Sequence, residues 1–360
     1  MIICMSVERG MNVNGKTPER RNVGLDLARI VFMFLIVLRH GTFQSGATAQ
    51  EAVLKANYLL GVAINDVTAT AVNGFVLISA YFLCQQPFRF GRLVRLWIGI
   101  AFYSLVVLAV ATVIGLPLTP RQVIGGFLPI SMGTYWFMSK YFLLVALSPF
   151  LNRVLMTLES RSFLALLGVL LVAYSLLPSV GIDTFSTGHG YSIGWFVVLY
   201  ATAAYLRRFG GEWTKLRSAA GYAVATAATF AWLGARFALK KQGVVLVAPD
   251  DYDFLPTYLA SVFLFRFFAA VEVRPCALRR AVSWLAPLML GVYLFHDNVL
   301  KHVLWRDVLG IDRLSGSPFW CLGVLSCVTA VYAAGILVEA VRKRAFSWLE
   351  GRFLPEVGNP

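Results

Sequence analysis

The sequence predicts an all-α, polytopic integral membrane protein with about ten transmembrane helices and both termini in the cytoplasm. Three observations carry that expectation. The chain of 360 residues is 58% hydrophobic and 14% charged, with a mean hydropathy of +0.71, whereas soluble domains carry about 25% charged residues. Apolar runs of about 17–25 residues, the length that crosses a bilayer, recur to the C-terminus. Lys and Arg alternate between successive connections: about twenty fall on one side of the expected spans and about seven on the other, which places the richer side in the cytoplasm.

The elements follow in order. Residues 1–23 are polar and lack an apolar leader core, so no cleaved signal is expected and the first span, 24–43, directs insertion itself. Residues 44–67 contain "AVLKANYLLGVAI", too short to span, expected at the outer interface or re-entering among the helices. Further spans are expected at 68–85, 94–115, 135–157, 163–180, 192–208, 219–238, 254–271, 284–300 and 319–341. The basic segments "RFGRLVR", "ESR", "RRFGGEWTKLR" and "VRPCALRR" join them inside, and "GLPLTPRQVIGGFLPISMGT" and "KKQGVVLVAPDDYDF" are the longest outer loops. Residues 24–341 thus form one transmembrane domain and 342–360 a cytoplasmic tail. No internal repeat is evident, which weighs against an inverted-repeat transporter.

The net charge of +14 would suggest nucleic acid in a soluble protein. Here the positive-inside rule accounts for it, and no nucleic-acid partner is expected. Cys4, Cys84, Cys276, Cys321 and Cys327 show no metal or redox spacing. There is no H-E-x-x-H, G-x-x-x-x-G-K-[ST] or G-x-S-x-G segment, so no metal site, phosphate loop or serine-hydrolase elbow is expected.

The first span, "LDLARIVFMFLIVLRHG", carries ionisable groups where they are costly and usually functional. From Arg29 to His40 is eleven residues, close to three full turns, so both lie on one helix face about 16 Å apart. Asp26, three residues before Arg29, can pair with it; Arg39 is turned away and expected to snorkel. Two readings stay open at this point. Arg29 can be a packing arginine paired with Asp26, with His40 at the interface. Alternatively the face is a polar track in which His40 exchanges protons near neutrality and Arg29 holds an anion or polarises a carbonyl.

Arg29, ten intervening residues, then His40 resembles the R-x10-H signature of the membrane acyltransferase-3 family. "NGFVLISAYFL" (Asn73 to Leu83) resembles its second-span segment, with Ala80 in place of the usual glycine. "RLVR" (Arg92 to Arg95) resembles its R-x-x-R motif, and "YWFMSKYFLLVALSPFLN" (Tyr135 to Asn152) its "SPFLN" span. "GWFVVLYATAAYLRR" and "GVYLFHDNVL" resemble later spans of its polysaccharide O-acetyltransferase branch. The resemblance implies transfer of an acyl group, most simply acetyl from cytoplasmic acetyl-CoA, to a hydroxyl of a surface polysaccharide or its lipid-linked precursor. It implies a multi-pass protein of the cell inner membrane working beside membrane lipid and polysaccharide-biosynthesis proteins, with no metal. His40 would be the general base, or the site of an acyl-histidine, with Arg29 holding the donor and Asp26 orienting Arg29. Arg92 and Arg95 would meet donor phosphates. Lys140 would line the donor route or pair internally, as would Arg266. His296 would support catalysis or pack, and Trp136 would wall the acceptor site or pack. Acylation of a lipid or small molecule, and a non-enzymatic transporter, are the competing readings.

Overall fold

A computed structural model of the protein describes residues 21–48 and 54–353. Most of the polar N-terminal tail, with Cys4, lies outside the described residues, as do 49–53 of the first outer loop and the end of the C-terminal tail. The described residues are helical, without a strand. In order they form α1 (Val23–Gln44), α2 (Lys55–Thr68), α3 (Thr70–Leu83), α4 (Phe90–Val113), α5 (Pro120–Phe127), α6 (Trp136–Leu155) and α7 (Ser160–Leu171). A π-turn, Val172–Leu176, joins α7 to a last turn, α8 (Leu177–Ser179). Then come α9 (Ile193–Phe209), α10 (Lys215–Lys240), α11 (Leu255–Ala269), α12 (Cys276–Leu285), α13 (Met289–His296) and α14 (Trp320–Phe353).

Among the described residues, five stretches are long and apolar enough to cross a membrane: Lys55–Leu83, Phe90–Val113, Ser160–Ser179, Cys276–His296 and Trp320–Phe346. Length and apolarity therefore account for half of the ten expected spans. The remaining long helices interleave ionisable or small polar side chains. α1 carries Asp26, Arg29 and Arg39, and the apolar α11 has only 15 residues.

The stretch expected at the outer interface or re-entering among the helices is helical and packs against α1 and α10. α2 runs into α3 with only Ala69 between them, itself in helical conformation. Asn65 and Asp66 break the hydropathy of this run, so the apolar stretch looks too short to span, whereas α2 and α3 together are long enough to cross a membrane. The fold buries that polar patch: Asp66 is 2% exposed, and Asn65 donates to Asp250 at 2.7 Å. The ninth expected span also differs. Pro287, which has no N–H to give a helix, sits in a 3₁₀ turn, Ala286–Leu288, that divides α12 from α13, and the helix stops at His296.

Side-chain latches set the helices at two ends. At one end Asn22 caps α1 by accepting from Leu25 N–H and donates to the Ala269 carbonyl ending α11, at 3.1 and 3.0 Å. Asn152 of α6 donates at 3.2 Å to the Leu83 carbonyl at the end of α3, which also accepts from Gln86 N–H, and itself accepts from Tyr200 at 2.6 Å. In the same helix Pro149 cannot donate to Val145 O, and the Ser148 hydroxyl does so instead at 2.8 Å. At the other end Asn57 donates to the Ser315 and Ser317 carbonyls, and Trp320 donates to Ser45 Oγ at 3.0 Å. The Ser-Pro and Asn positions of the "SPFLN" segment thus repair and join helices.

Gly74 lets α1 and α3 approach. A Cβ there would lie 2.4 Å from the Phe32 ring, and that ring is fully buried. Gly74→Ala is expected to cost about 1–3 kcal/mol by overpacking, read as a lowered unfolding temperature in detergent; an unchanged temperature would mean that α3 shifts freely.

Candidate active site

α1 is one uninterrupted helix, so Arg29, Met33, Ile36 and His40 form a single stripe along it. Its far end meets α13. His40 Nδ1 lies 2.9 Å from His296 Nε2, and His296 Nδ1 lies 2.6 Å from the Val292 carbonyl one turn earlier. A carbonyl only accepts, so His296 Nδ1 carries a hydrogen and the Nε2 of the neutral ring accepts. His40 must then donate through Nδ1, which leaves the lone pair of a neutral His40 on Nε2. The backbone of α13 thereby sets the tautomer of a side chain on α1. His296 is 1% exposed, and the residue after it, Asp297, holds Lys301 at 3.3 Å.

His40 borders a narrow slot with about 10 Å³ of free space, the room for one water. Met33 and Ile36 of α1, Val72 and Phe75 of α3, Trp136 of α6 and Tyr252 line it with His40. Trp136 stacks on Tyr252 (ring centroids 5.7 Å, 14°) and meets Tyr191 at 4.4 Å. The Tyr252 backbone is fixed by Asn73, whose amide donates to its carbonyl at 2.8 Å and whose Oδ1 accepts from Trp195 at 3.0 Å. Asn73, the first residue of the "NGFVLISAYFL" segment, thus ties the 250–253 loop over the slot.

At the opposite end of the stripe, Arg29 donates to Asp26 at 2.7 Å and lies over the Phe82 ring. Arg21 donates to the other oxygen of the same carboxylate at 2.5 Å. The expected Asp26–Arg29 pair is therefore present, in a three-residue cluster. Arg92 and Arg95 start α4 at this end, and Arg92 donates to Gln86 at 2.7 Å. Lys140 stands apart from them. It is four residues along α6 from Trp136, on the same helix face, at the His40 end. His40, His296 and Trp136 are brought together; Asp26, Arg29, Arg92 and Arg95 gather at the other end.

Arg39 does not snorkel. It is 9% exposed, pairs with Asp250 at 3.1 Å, donates to the Asn65 carbonyl and lies over the Tyr252 ring. A partly buried carboxylate partner reaching in from a distant loop is what the helical wheel could not show. Arg266 bonds the Gly210 and Gly211 carbonyls and covers Trp213 at 4.1 Å. Tyr191 and Tyr252, both on loops, were not expected at the site; loop aromatics leave no periodic signal.

The loop over the slot is held by polar contacts. His189 meets Asp251 at 2.8 Å, and that hydrogen bond holds the imidazole above its ordinary range. Burial pushes the Asp253 carboxyl up from 3.8 to about 6, and its Oδ2 has no hydrogen-bond partner among the described residues. A raised carboxyl favours the protonated form in the folded state, so stability falls as pH rises from 3.8 to about 6, and the whole penalty applies above that. Asp253→Asn is therefore expected to raise the unfolding temperature near neutral pH, by up to about 3 kcal/mol in stability. The gain should shrink on acidification towards the unfolded value. A variant that is destabilised at every pH would show that the ionised group has a partner.

A family model described as an acyltransferase domain matches residues 22–339 of the chain. No curated protein and no solved structure matches it.

Proposed function

Because the chain belongs to the acyltransferase-3 family, and so is a membrane acyltransferase, we propose that it moves an acetyl group from acetyl-CoA to a hydroxyl of a cell-surface polysaccharide or its lipid-linked precursor. The observation that carries this reading is the His40–His296 pair, which presents an unprotonated His40 Nε2 at the end of the stripe that begins at Arg29. In the proposed reaction that nitrogen takes the acceptor proton as the oxygen attacks the thioester carbonyl. The new C–O bond forms, the C–S bond breaks, and the departing thiolate recovers the proton from the imidazolium. The products are an ester and free CoA. Arg29, oriented by Asp26, positions the donor; Arg92 and Arg95 draw its phosphates to the same end. Trp136 walls the acceptor side, and Lys140, at the His40 end, meets the acyl-bearing tip of the donor.

The reading has the Arg29 end in the cytoplasm, ten spans with both termini inside, and an inner-membrane location. The Lys and Arg asymmetry of the sequence supports that orientation. The test is release of CoA from acetyl-CoA by the purified full chain, together with acetyl incorporation into polysaccharide in membranes. Turnover is expected. Absence of turnover with every short acyl-CoA would sink the donor assignment, and transfer to lipid rather than glycan would redirect the acceptor.

A further inference from the structure

A roomy cavity at the Arg29 end of the stripe does not involve Arg92 or Arg95. About 860 Å³ of space opens at the Arg29 end, between the start of α1, the end of α11 and the turns that hold Gly211–Trp213 and Val271–Arg274. Four guanidinium groups line it, Arg21, Arg266, Arg274 and Arg279, against the carboxylates of Glu212 and Glu272. Trp213 supplies an aromatic wall, held by Arg266 over its ring and by the tilted Phe263 ring.

We propose that this cavity seats the phosphorylated nucleotide head of the acyl donor, an inference that rests on the donor reading above. Four features favour that ligand. The cavity falls in the 300–1,000 Å³ range of small-molecule sites, whereas the slot at His40 has room for one water. CoA carries three phosphate groups on an adenosine, and guanidinium groups bind phosphates through paired donors while an indole face stacks with a purine. The Arg274 pair with Glu272 is loose, at 3.3 Å, with both side chains largely exposed, so it is weak and easily exchanged for a phosphate. Finally, Arg21 shares Asp26 with Arg29. The cavity therefore shares an ion-pair cluster with the foot of the Arg29–Met33–Ile36–His40 stripe, along which the arm of the donor would run about 16 Å to His40.

The chemistry of phosphate recognition is shared by anionic lipid headgroups, so the test separates the two. The probe is adenosine 3′,5′-bisphosphate, titrated calorimetrically into the full chain in nanodiscs of neutral lipid and used as a competitor of acetyl-CoA turnover. Binding and competitive inhibition are expected. Arg274→Ala, chosen because its side chain is exposed, should weaken the probe about tenfold, and Trp213→Ala or Arg274→Ala with Arg279→Ala further. The same variants should erase the preference of the enzyme for acetyl-CoA over S-acetylpantetheine, which has no nucleotide. A return of affinity in the paired lysine variant would show that charge, and not folding, was lost. If wild-type protein turns over acetyl-CoA but the probe neither binds nor competes, or if the variants keep wild-type affinity, the cavity assignment is overturned while the enzyme reading stands. Displacement of the probe by anionic lipid with no effect on acetyl-CoA turnover would also overturn it, in favour of a lipid site. Variant-sensitive probe binding without turnover of any acyl-CoA would keep a nucleotide site and sink the donor reading.

Discussion

His40→Ala is expected to reduce acyl transfer by about 10²–10⁴-fold, the usual contribution of a general base, while the chain still folds and still binds acyl-CoA. The substitution removes the side chain that donates to His296 Nε2 in the tautomer set by Val292, and a buried acceptor left unpaired costs about 1–3 kcal/mol. Some loss of stability therefore accompanies the loss of chemistry, and alanine alone does not separate them. His40→Asn does. Its amide can donate to His296 Nε2 and restore the contact, yet it has no nitrogen that takes up a proton near neutrality. Stability close to wild type with activity close to that of the alanine variant would identify His40 as the base. The readout is acetyl incorporation per unit of membrane protein, with the level checked by immunoblot. Wild-type transfer by His40→Ala would remove the residue from the chemistry and leave α1 a packing helix.

The parts of this site that were legible in the sequence are those set by local geometry. Arg29, Met33, Ile36 and His40 share a face because 3.6 residues make a turn, and Asp26 reaches Arg29 because three residues bring side chains together on a helix. The contact that gives His40 its tautomer is of another kind. His296 lies 256 residues away, its helix is positioned by the turn at Pro287, and nothing in the spacing of α1 encodes that meeting. The same holds for Arg39. Its wheel position suggested an interface, but Asp250 from a remote loop makes burial affordable by supplying the opposite charge. Asn73 and Asn152 stood out as motif residues, and their physical role emerged only with their partners, the Tyr252 and Leu83 carbonyls. The apolar stretch in α2 looked too short to span because Asn65 and Asp66 lower hydropathy whether they face water or, as here, a buried polar cluster, and its continuation into α3 has no signal in that run.

The second large effect is expected at His296. His296→Ala should lower kcat by about 10–100-fold, less than loss of His40, with the KM for acetyl-CoA little changed. The reason lies in the chain of hydrogen bonds from the Val292 carbonyl through His296 to His40. With His296 gone, His40 has no fixed acceptor for Nδ1–H, its ring can turn, and the tautomer with the proton on Nε2 competes with the productive one. The fraction of enzyme with a lone pair aimed at the acceptor falls, which is a loss of rate rather than of donor affinity. His296→Gln tests this directly, since the glutamine carbonyl can accept from His40 Nδ1 and should recover part of the rate. A merely structural role would give no such rescue and would lower the amount of folded protein in the alanine and glutamine variants alike. The opposite pattern, a dead His296→Ala beside an active His40→Ala, would reverse the roles. The base would then sit on α13, and α1 would supply the residue that orients it.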